Sequence, residues 1–142
     1  MYNGLNTCSY NAKEVFKMIQ SIGQVMLYVN DIEASAQFWK EKMGFERVEK
    51  QVQGPQTSYI IAPKSDSEVQ FVLHDKAEVA EMEPELNLGT PSILMTSVDV
   101  AKTYEELVER GVTTNPVMDL GFMKVISFAD NDGNYYAIRE VK

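Results

Sequence analysis

A repeated pattern of strand, aspartate and helix most constrains what this chain can fold into. Residues 24–31 read QVMLYVND, residues 92–99 read SILMTSVD, and an amphipathic segment follows each of them. The two aspartates, Asp31 and Asp99, lie 68 residues apart. Neither unit has enough sheet and helix to bury its own apolar surface, so the repeat predicts two similar modules that pack on each other.

Local periodicity assigns the elements within each module. Val25, Leu27 and Val29 alternate with more polar residues, which predicts a strand. After each aspartate, which can cap a helix, apolar residues recur at helical spacing until Gly44 or Gly111 ends the segment. Further strands are predicted at residues 45–52, 58–62, 68–75, 92–98, 112–120, 122–129 and 135–141.

The domain organisation follows from these elements. Residues 1–20 are an N-terminal extension, in which a short helix is possible at 11–19. Residues 21–76 form the first βαβββ module, 77–90 an acidic, turn-rich linker, and 91–142 the second βαβββ module. We therefore expect one structural domain of the α+β class.

Composition excludes several classes of protein. The net charge of −8 argues against nucleic-acid binding, which needs clustered Lys and Arg. Cys8 is the only cysteine, so no intramolecular disulfide or cysteine-based zinc site is expected. No apolar run approaches the roughly 20 residues that span a bilayer, and no export signal is visible. We expect a soluble, cytoplasmic protein with no membrane partner.

Two stretches carry a resemblance to a known family. They are QVMLYVNDIEASAQFWKEKMGF at 24–45 and FADNDGNYYAI at 128–138. In this order and spacing they resemble the vicinal oxygen chelate superfamily, which includes glyoxalase I, bleomycin-resistance proteins and extradiol dioxygenases. The resemblance implies that the two modules form a cupped mixed sheet with helices on its outer face. The chain departs from the family ending at Asn131, where a proline is usual, and at Ala137, where a glutamate is usual.

Enzymes of this superfamily hold one divalent metal at four positions, on the first and last strands of each module. By resemblance, these positions are Gln24, Gln70 (or Phe71, if the register slips by one), Ser92 and Ala137. Two amides, a hydroxyl and a methyl group do not replace the hydration of a divalent ion. The resemblance therefore implies no metal cofactor, with Zn, Ni or Mn held by Gln24, Gln70 and His74 as the alternative.

Strand alternation selects the residues that share a face with these four positions. The predicted ligand-binding set is Gln24, Met26, Tyr28, Gln70, Val72, His74, Ser92, Leu94, Tyr135 and Arg139. These residues mix aromatic, aliphatic and thioether surface with amides and hydroxyls, which is typical of a small-molecule pocket. A buried Arg139 needs an anionic or hydrogen-bonding partner: a ligand carboxylate or phosphate, Glu140 of another chain, or the exposed rim of the cup.

Three functions remain open at this point. The leading expectation is a metal-independent small-molecule binding protein, similar to the bleomycin-resistance branch and, by resemblance, a homodimer. The second is a metal-dependent glyoxalase-like lyase or isomerase. The third is an interaction module whose cup is filled by its own side chains. No catalytic residue is identified, because Asp130 and Asp132 lie in a D-N-D-G turn and are expected to bind local backbone N–H groups.

Overall fold

The computed structural model describes residues 16–142, which form two successive βαβββ modules. The first contains β1 (Gln24–Val29), α1 (Ile32–Glu41), β2 (Glu46–Gln53), β3 (Gln56–Ala62) and β4 (Gln70–Asp75). A short helix, α2 (Lys76–Met82), joins it to the second module. That module contains β5 (Leu94–Ser97), α3 (Val100–Glu109), β6 (Met118–Asp119), β7 (Lys124–Ala129) and β8 (Tyr135–Glu140). The expected α+β class of two βαβββ modules is confirmed.

The strands form two four-stranded mixed sheets with the same topology. Their orders are β1-β4-β3-β2 and β5-β8-β7-β6. In each module the first and last strands pair in parallel, and the other neighbours are antiparallel. The first strand of each module is therefore an edge strand, with one side free of backbone hydrogen bonds within its sheet.

Both long helices begin at the aspartates expected from the repeat. Asp31 accepts a hydrogen bond from the Ala34 backbone N–H, and Asp99 accepts one from the Lys102 N–H, at 3.0 Å each. Gly44 follows α1 with a φ of 74°, a conformation that glycine adopts without steric cost. The longest helices of the described part have ten residues, so none of them is long enough to cross a bilayer.

The two modules share one hydrophobic core, which is centred on Trp39 of α1. This side chain has no solvent exposure. Its ring lies 5.6 Å from Phe71 of the first sheet, and 6.0 and 5.2 Å from Phe128 and Tyr136 of the second. One face of each sheet therefore packs toward the same helix side chain, and the opposite face of each sheet is turned away from it.

The strand predicted at residues 112–120 is wrong for most of its length. Met118–Asp119 pairs with β7. Upstream, Thr114 forms an isolated bridge to Phe128, flanked by backbone hydrogen bonds from the Asn115 N–H to Ser127 and from the Ala129 N–H to Thr113. Between these two contacts the register shifts by one residue, since Thr114 opposes Phe128 whereas Met118 opposes Val125, and a continuous ladder does not form there.

The segments outside the two modules also differ from the sequence expectation. The linker begins with α2, which Asp75 caps by accepting a hydrogen bond from the Glu78 N–H at 3.0 Å. The helix expected at 11–19 lies mostly outside the described residues, and its described part, 16–19, is not helical.

Candidate functional site

The predicted site residues of the first module lie side by side on β1 and β4. The parallel register pairs Gln24 with Gln70, Met26 with Val72, and Tyr28 with His74. These six residues occupy the face opposite Trp39, which we call the Gln24 face. Phe71, the alternative to Gln70, is buried in the core, so the one-residue slip does not occur.

His74 is held on the Gln24 face by contacts at both of its ring nitrogens. Nδ1 lies 3.0 Å from the Ser58 hydroxyl, and Nε2 lies 3.1 Å from the Met26 sulfur. Because a thioether sulfur only accepts hydrogen bonds, Nε2 carries the proton and Nδ1 accepts from Ser58. The ring also stacks on Tyr28 at 5.8 Å between centroids. Burial lowers the pKa of His74, so the imidazole is neutral at physiological pH.

The predicted residues of the second module lie on the equivalent face of the other sheet, which we call the Arg139 face. Its strand residues are Leu94, Thr96, Met118, Val125, Ser127, Ala129, Tyr135, Ala137 and Arg139. Ala137 pairs with Leu94, and Arg139 pairs with Thr96. Ser92 lies two residues before β5 and is exposed, so it borders this face rather than forming part of its sheet.

Arg139 has no partner among the described residues. Its Nε atom is buried without a hydrogen bond, and neither ion pair of residues 16–142 involves its guanidinium group. The adjacent Glu140 points to the opposite face of β8, where it accepts a hydrogen bond from the Val100 N–H and pairs with Lys142. The bond from Val100 lowers the pKa of Glu140, which keeps this carboxylate ionised. Its oxygens are engaged by the Val100 N–H and by Lys142.

The Gln24 face and the Arg139 face do not meet within one chain. Each is the reverse side of a sheet whose other side packs on Trp39, so the two faces are directed away from the shared core. Both expose apolar side chains: Met26 is 39% exposed, Leu94 50% and Tyr135 53%. The structure therefore brings the predicted residues together in two groups and not in one pocket.

A small cleft lies at the end of the Gln24 face, beneath α2. Its volume is about 170 Å³, and Tyr28, Ser58 and His74 line it together with Val79 and Met82. Helix α2 thus covers one end of this face with apolar side chains.

A larger cavity of about 650 Å³ lies between the modules, along the free edge of β5. Core residues such as Phe45, Phe71 and Ile138 line it, and Leu94 is the only predicted ligand-binding residue among its lining. We interpret this cavity as a gap left beside the edge strand β5 and not as a ligand-binding site. Its polar lining consists of hydroxyl groups and the exposed Lys64, with no convergent set of buried polar groups.

Sequence reasoning missed Ser58, which fixes the orientation of His74. Strand alternation could have found it, because Ser58, Ile60 and Ala62 share one face of a predicted strand. The cavity between the modules left no comparable signal, because its lining comes from residues far apart in the chain.

The donor chemistry of the four family positions does not fit a divalent ion. Gln24 and Gln70 are neighbours, but Ala137 supplies no donor, and it lies with Ser92 at the other sheet. His74, the alternative ligand, uses both ring nitrogens in hydrogen bonds. Within residues 16–142, no three His, Cys, Asp or Glu side chains cluster. Two neutral amides alone do not offset the loss of hydration of such an ion.

Two comparisons place the chain among known proteins. Residues 21–138 match the model of the glyoxalase/bleomycin resistance protein/dioxygenase superfamily. The chain is also 32% identical over 125 residues to a Bacillus subtilis (strain 168) protein named "Uncharacterized protein YetH", covering 87% of this chain and all of that protein.

Solved structures show the same fold. TnmS3, described as an antibiotic binding protein from Streptomyces sp. CB03234, is similar with a TM-score of 0.75 at 23% identity, covering 89% of this chain and all of TnmS3. Lactoylglutathione lyase from Agrobacterium tumefaciens is similar with a TM-score of 0.66 at 16% identity, covering 87% of this chain and 96% of the lyase. The chain belongs to the glyoxalase/bleomycin resistance protein/dioxygenase superfamily.

Proposed function

We propose that this protein binds a small organic molecule without a metal ion and does not transform it. The observation that carries the proposal is the residue set at the four family ligand positions: Gln24, Gln70, Ser92 and Ala137. Around them, the Gln24 face and the Arg139 face offer apolar surface with a few hydrogen-bonding groups. Such surfaces recognise ligands by shape and hydrogen bonds, and no metal-activated water is needed.

The similarity to TnmS3 supports this ligand class. That protein is described as antibiotic binding, and its fold covers nearly the whole of this chain. We therefore propose a ligand of similar character, an antibiotic or an aromatic metabolite that packs against Met26, Tyr28 and Tyr135. Aromatic side chains stack on such molecules, and methionine adapts to varied ligand shapes.

We further propose that the functional unit is a homodimer. Within residues 16–142, the outer edges of β1 and β5 have no strand partner, and exposed apolar residues adjoin both of them. Pairing β1 of one protomer with β5 of its partner would satisfy these edges. It would also place the Gln24 face of one protomer beside the Arg139 face of the other, which gives one cup from two half-sites.

The main alternative is a glyoxalase-like lyase that uses Zn, Ni or Mn. The pairing of Gln24 with Gln70 favours it, since the two residues are direct neighbours on the same face of the sheet. The similarity to a lactoylglutathione lyase points the same way. This alternative needs further ligands, and His74 would first have to release Ser58 or Met26.

Thermal unfolding with added compounds distinguishes these functions. We expect at least one member of a panel of antibiotics and aromatic metabolites to raise the melting temperature saturably, by several degrees at high excess over its Kd. Zn, Ni and Mn should have no saturable effect. A metal that stabilises the wild type but not Gln24→Ala would overturn the proposal in favour of the lyase. Silence from the entire panel would favour an interaction module.

The oligomeric state has its own test. We expect light scattering to give twice the mass of one chain for the wild type. Leu94→Asp should reduce it to the mass of one chain, because it places a charge beside the β5 edge. The matched control is Val108→Asp, since Val108 on α3 is similarly exposed, at 49%, but lies on neither face. A wild type of single-chain mass would contradict the homodimer.

A further inference from the structure

We propose that the Arg139 face recognises a carboxylate group on its ligand, with the Arg139 guanidinium as the anchor. The inference rests on the proposed small-molecule binding and names a chemical feature of the ligand. The preferred ligand would be an aromatic or aliphatic carboxylic acid rather than its neutral analogue.

The first argument is the unsatisfied state of Arg139. Its Nε–H is buried without an acceptor among residues 16–142, although a guanidinium group presents five donors in one plane. A buried donor without a partner is costly, and most such groups in proteins are satisfied. A planar carboxylate can accept from Nε–H and from a neighbouring N–H at once, which matches the fork of the guanidinium group.

The second argument is a contrast with the other arginines of the chain, Arg47 and Arg110. Arg110 donates to the Lys42 carbonyl oxygen at 2.8 Å and to Glu106 at 3.4 Å. Arg47 lies over the ring of Tyr59, with its guanidinium carbon 4.4 Å from the ring centroid. Both have structural partners, so Arg139 is the arginine that the described fold leaves unused.

The third argument is the charge of the surrounding face. Apart from Arg139, the strand residues of the Arg139 face are neutral, since all are apolar or bear hydroxyl groups. The nearest carboxylate in sequence, Glu140, is bound to Val100 and Lys142 on the other side of the sheet. No acidic side chain of these strands therefore competes with a ligand for the guanidinium group.

The shape of the face indicates where the rest of the ligand lies. Ala137 stands between Arg139 and Tyr135 on β8, and its methyl group is the smallest side chain of the three. Tyr135 lies about 13 Å along the strand from Arg139, from four residues at about 3.3 Å each. A carboxylate at Arg139 would therefore let an apolar body extend over Ala137 toward Leu94 and Tyr135.

The matched probes are phenylacetate and phenylacetamide, which differ in charge but hardly in shape. Nitrogen-15 spectra should show three arginine Nε–H signals, assigned with Arg47→Gln, Arg110→Gln and Arg139→Gln. We expect phenylacetate to shift the Arg139 signal saturably and the Arg47 and Arg110 signals much less. Its Kd should be roughly tenfold or more below that of phenylacetamide, because charge-assisted hydrogen bonds are the stronger ones.

The variants separate this inference from the proposed function. Arg139→Gln should abolish the preference for the acid over the amide, whereas Arg110→Gln should keep the preference. Equal affinity of the wild type for acid and amide, or a preference that survives Arg139→Gln, would overturn the inference. Small-molecule binding would then still stand if other compounds stabilise the protein. An Arg139 signal that responds no differently from that of Arg110 would also overturn it.

Discussion

The two sheets follow the same plan on the face toward the core but differ on the face away from it. Toward the core, each sheet presents aromatic rings to Trp39. On the Gln24 face, the titratable residue His74 has partners at both nitrogens and is neutral. On the Arg139 face, the charged residue has no partner among the described residues.

This difference shows how a repeated fold can divide its tasks. The shared core and the helix caps keep the two modules alike, because packing and backbone hydrogen bonds restrict the residues that can stand there. The faces away from the core carry no such restriction. One of them holds a neutral imidazole with two partners, and the other holds a guanidinium group without a partner among residues 16–142.

The largest effect is expected at the feature that the two modules share. Trp39→Ala should lower the free energy of unfolding by about 3–5 kcal/mol, because it opens a large cavity in the core. Both modules contact this ring, so they should lose stability together in a single transition. Urea unfolding followed by tyrosine fluorescence and by circular dichroism measures this.

The milder variant Trp39→Phe serves as the control and should lower the free energy of unfolding by less. If the Trp39→Ala variant unfolded in two separate transitions, the modules would be independent, and the shared core would not unite them.

An intermediate effect is expected at a turn that only the second module has. Buried Asp130 accepts hydrogen bonds from the Asp132 and Asn134 N–H groups, at 2.9 Å each, and from the Tyr136 hydroxyl at 3.0 Å. Asp130→Ala leaves these donors without partners and should lower the free energy of unfolding by about 2–4 kcal/mol. Chemical denaturation measures this loss. Asp132→Ala is the control: among residues 16–142 its side chain accepts only from the Asn30 N–H, so its loss should lower the free energy of unfolding less. Equal costs would contradict this account.

The smallest effect is expected at His74, and it depends on pH. Because burial lowers its pKa, the unfolded chain binds a proton more readily than the folded chain. The buried neutral imidazole therefore contributes to the free energy of unfolding. This contribution is complete above the ordinary pKa of about 6.5 and is lost as the pH falls through the folded-state pKa. His74 is the only histidine, so its proton resonances report its titration directly.

We expect a titration midpoint below that of an unstructured histidine. His74→Gln should reduce the loss of stability between neutral and mildly acidic pH. A midpoint at or above the ordinary value would show that the Gln24 face stabilises a charged imidazole, and the contrast with the Arg139 face would then fail.

Much of the local structure could be predicted from sequence. The aspartate caps and the stop at Gly44 follow from periodicity, from residue type and from the repeat. Asp130 binds local backbone N–H groups as expected. The local role expected for Asp132 is wrong, because its side chain accepts from the distant Asn30 N–H. The prediction of a strand at 112–120 failed because alternation of apolar residues does not reveal the register shift between the Thr114 bridge and the Met118 pair.

The sequence by itself determined which residues share a face, because the side-chain direction along a strand alternates with a period of two. It also determined the neutral character of the family ligand positions, since residue identity fixes donor chemistry. Only the tertiary structure decided that the Gln24 face and the Arg139 face lie on separate sheets, and that His74 is satisfied while Arg139 is not. Those outcomes depend on how residues distant in the chain pack around Trp39, which no local pattern encodes.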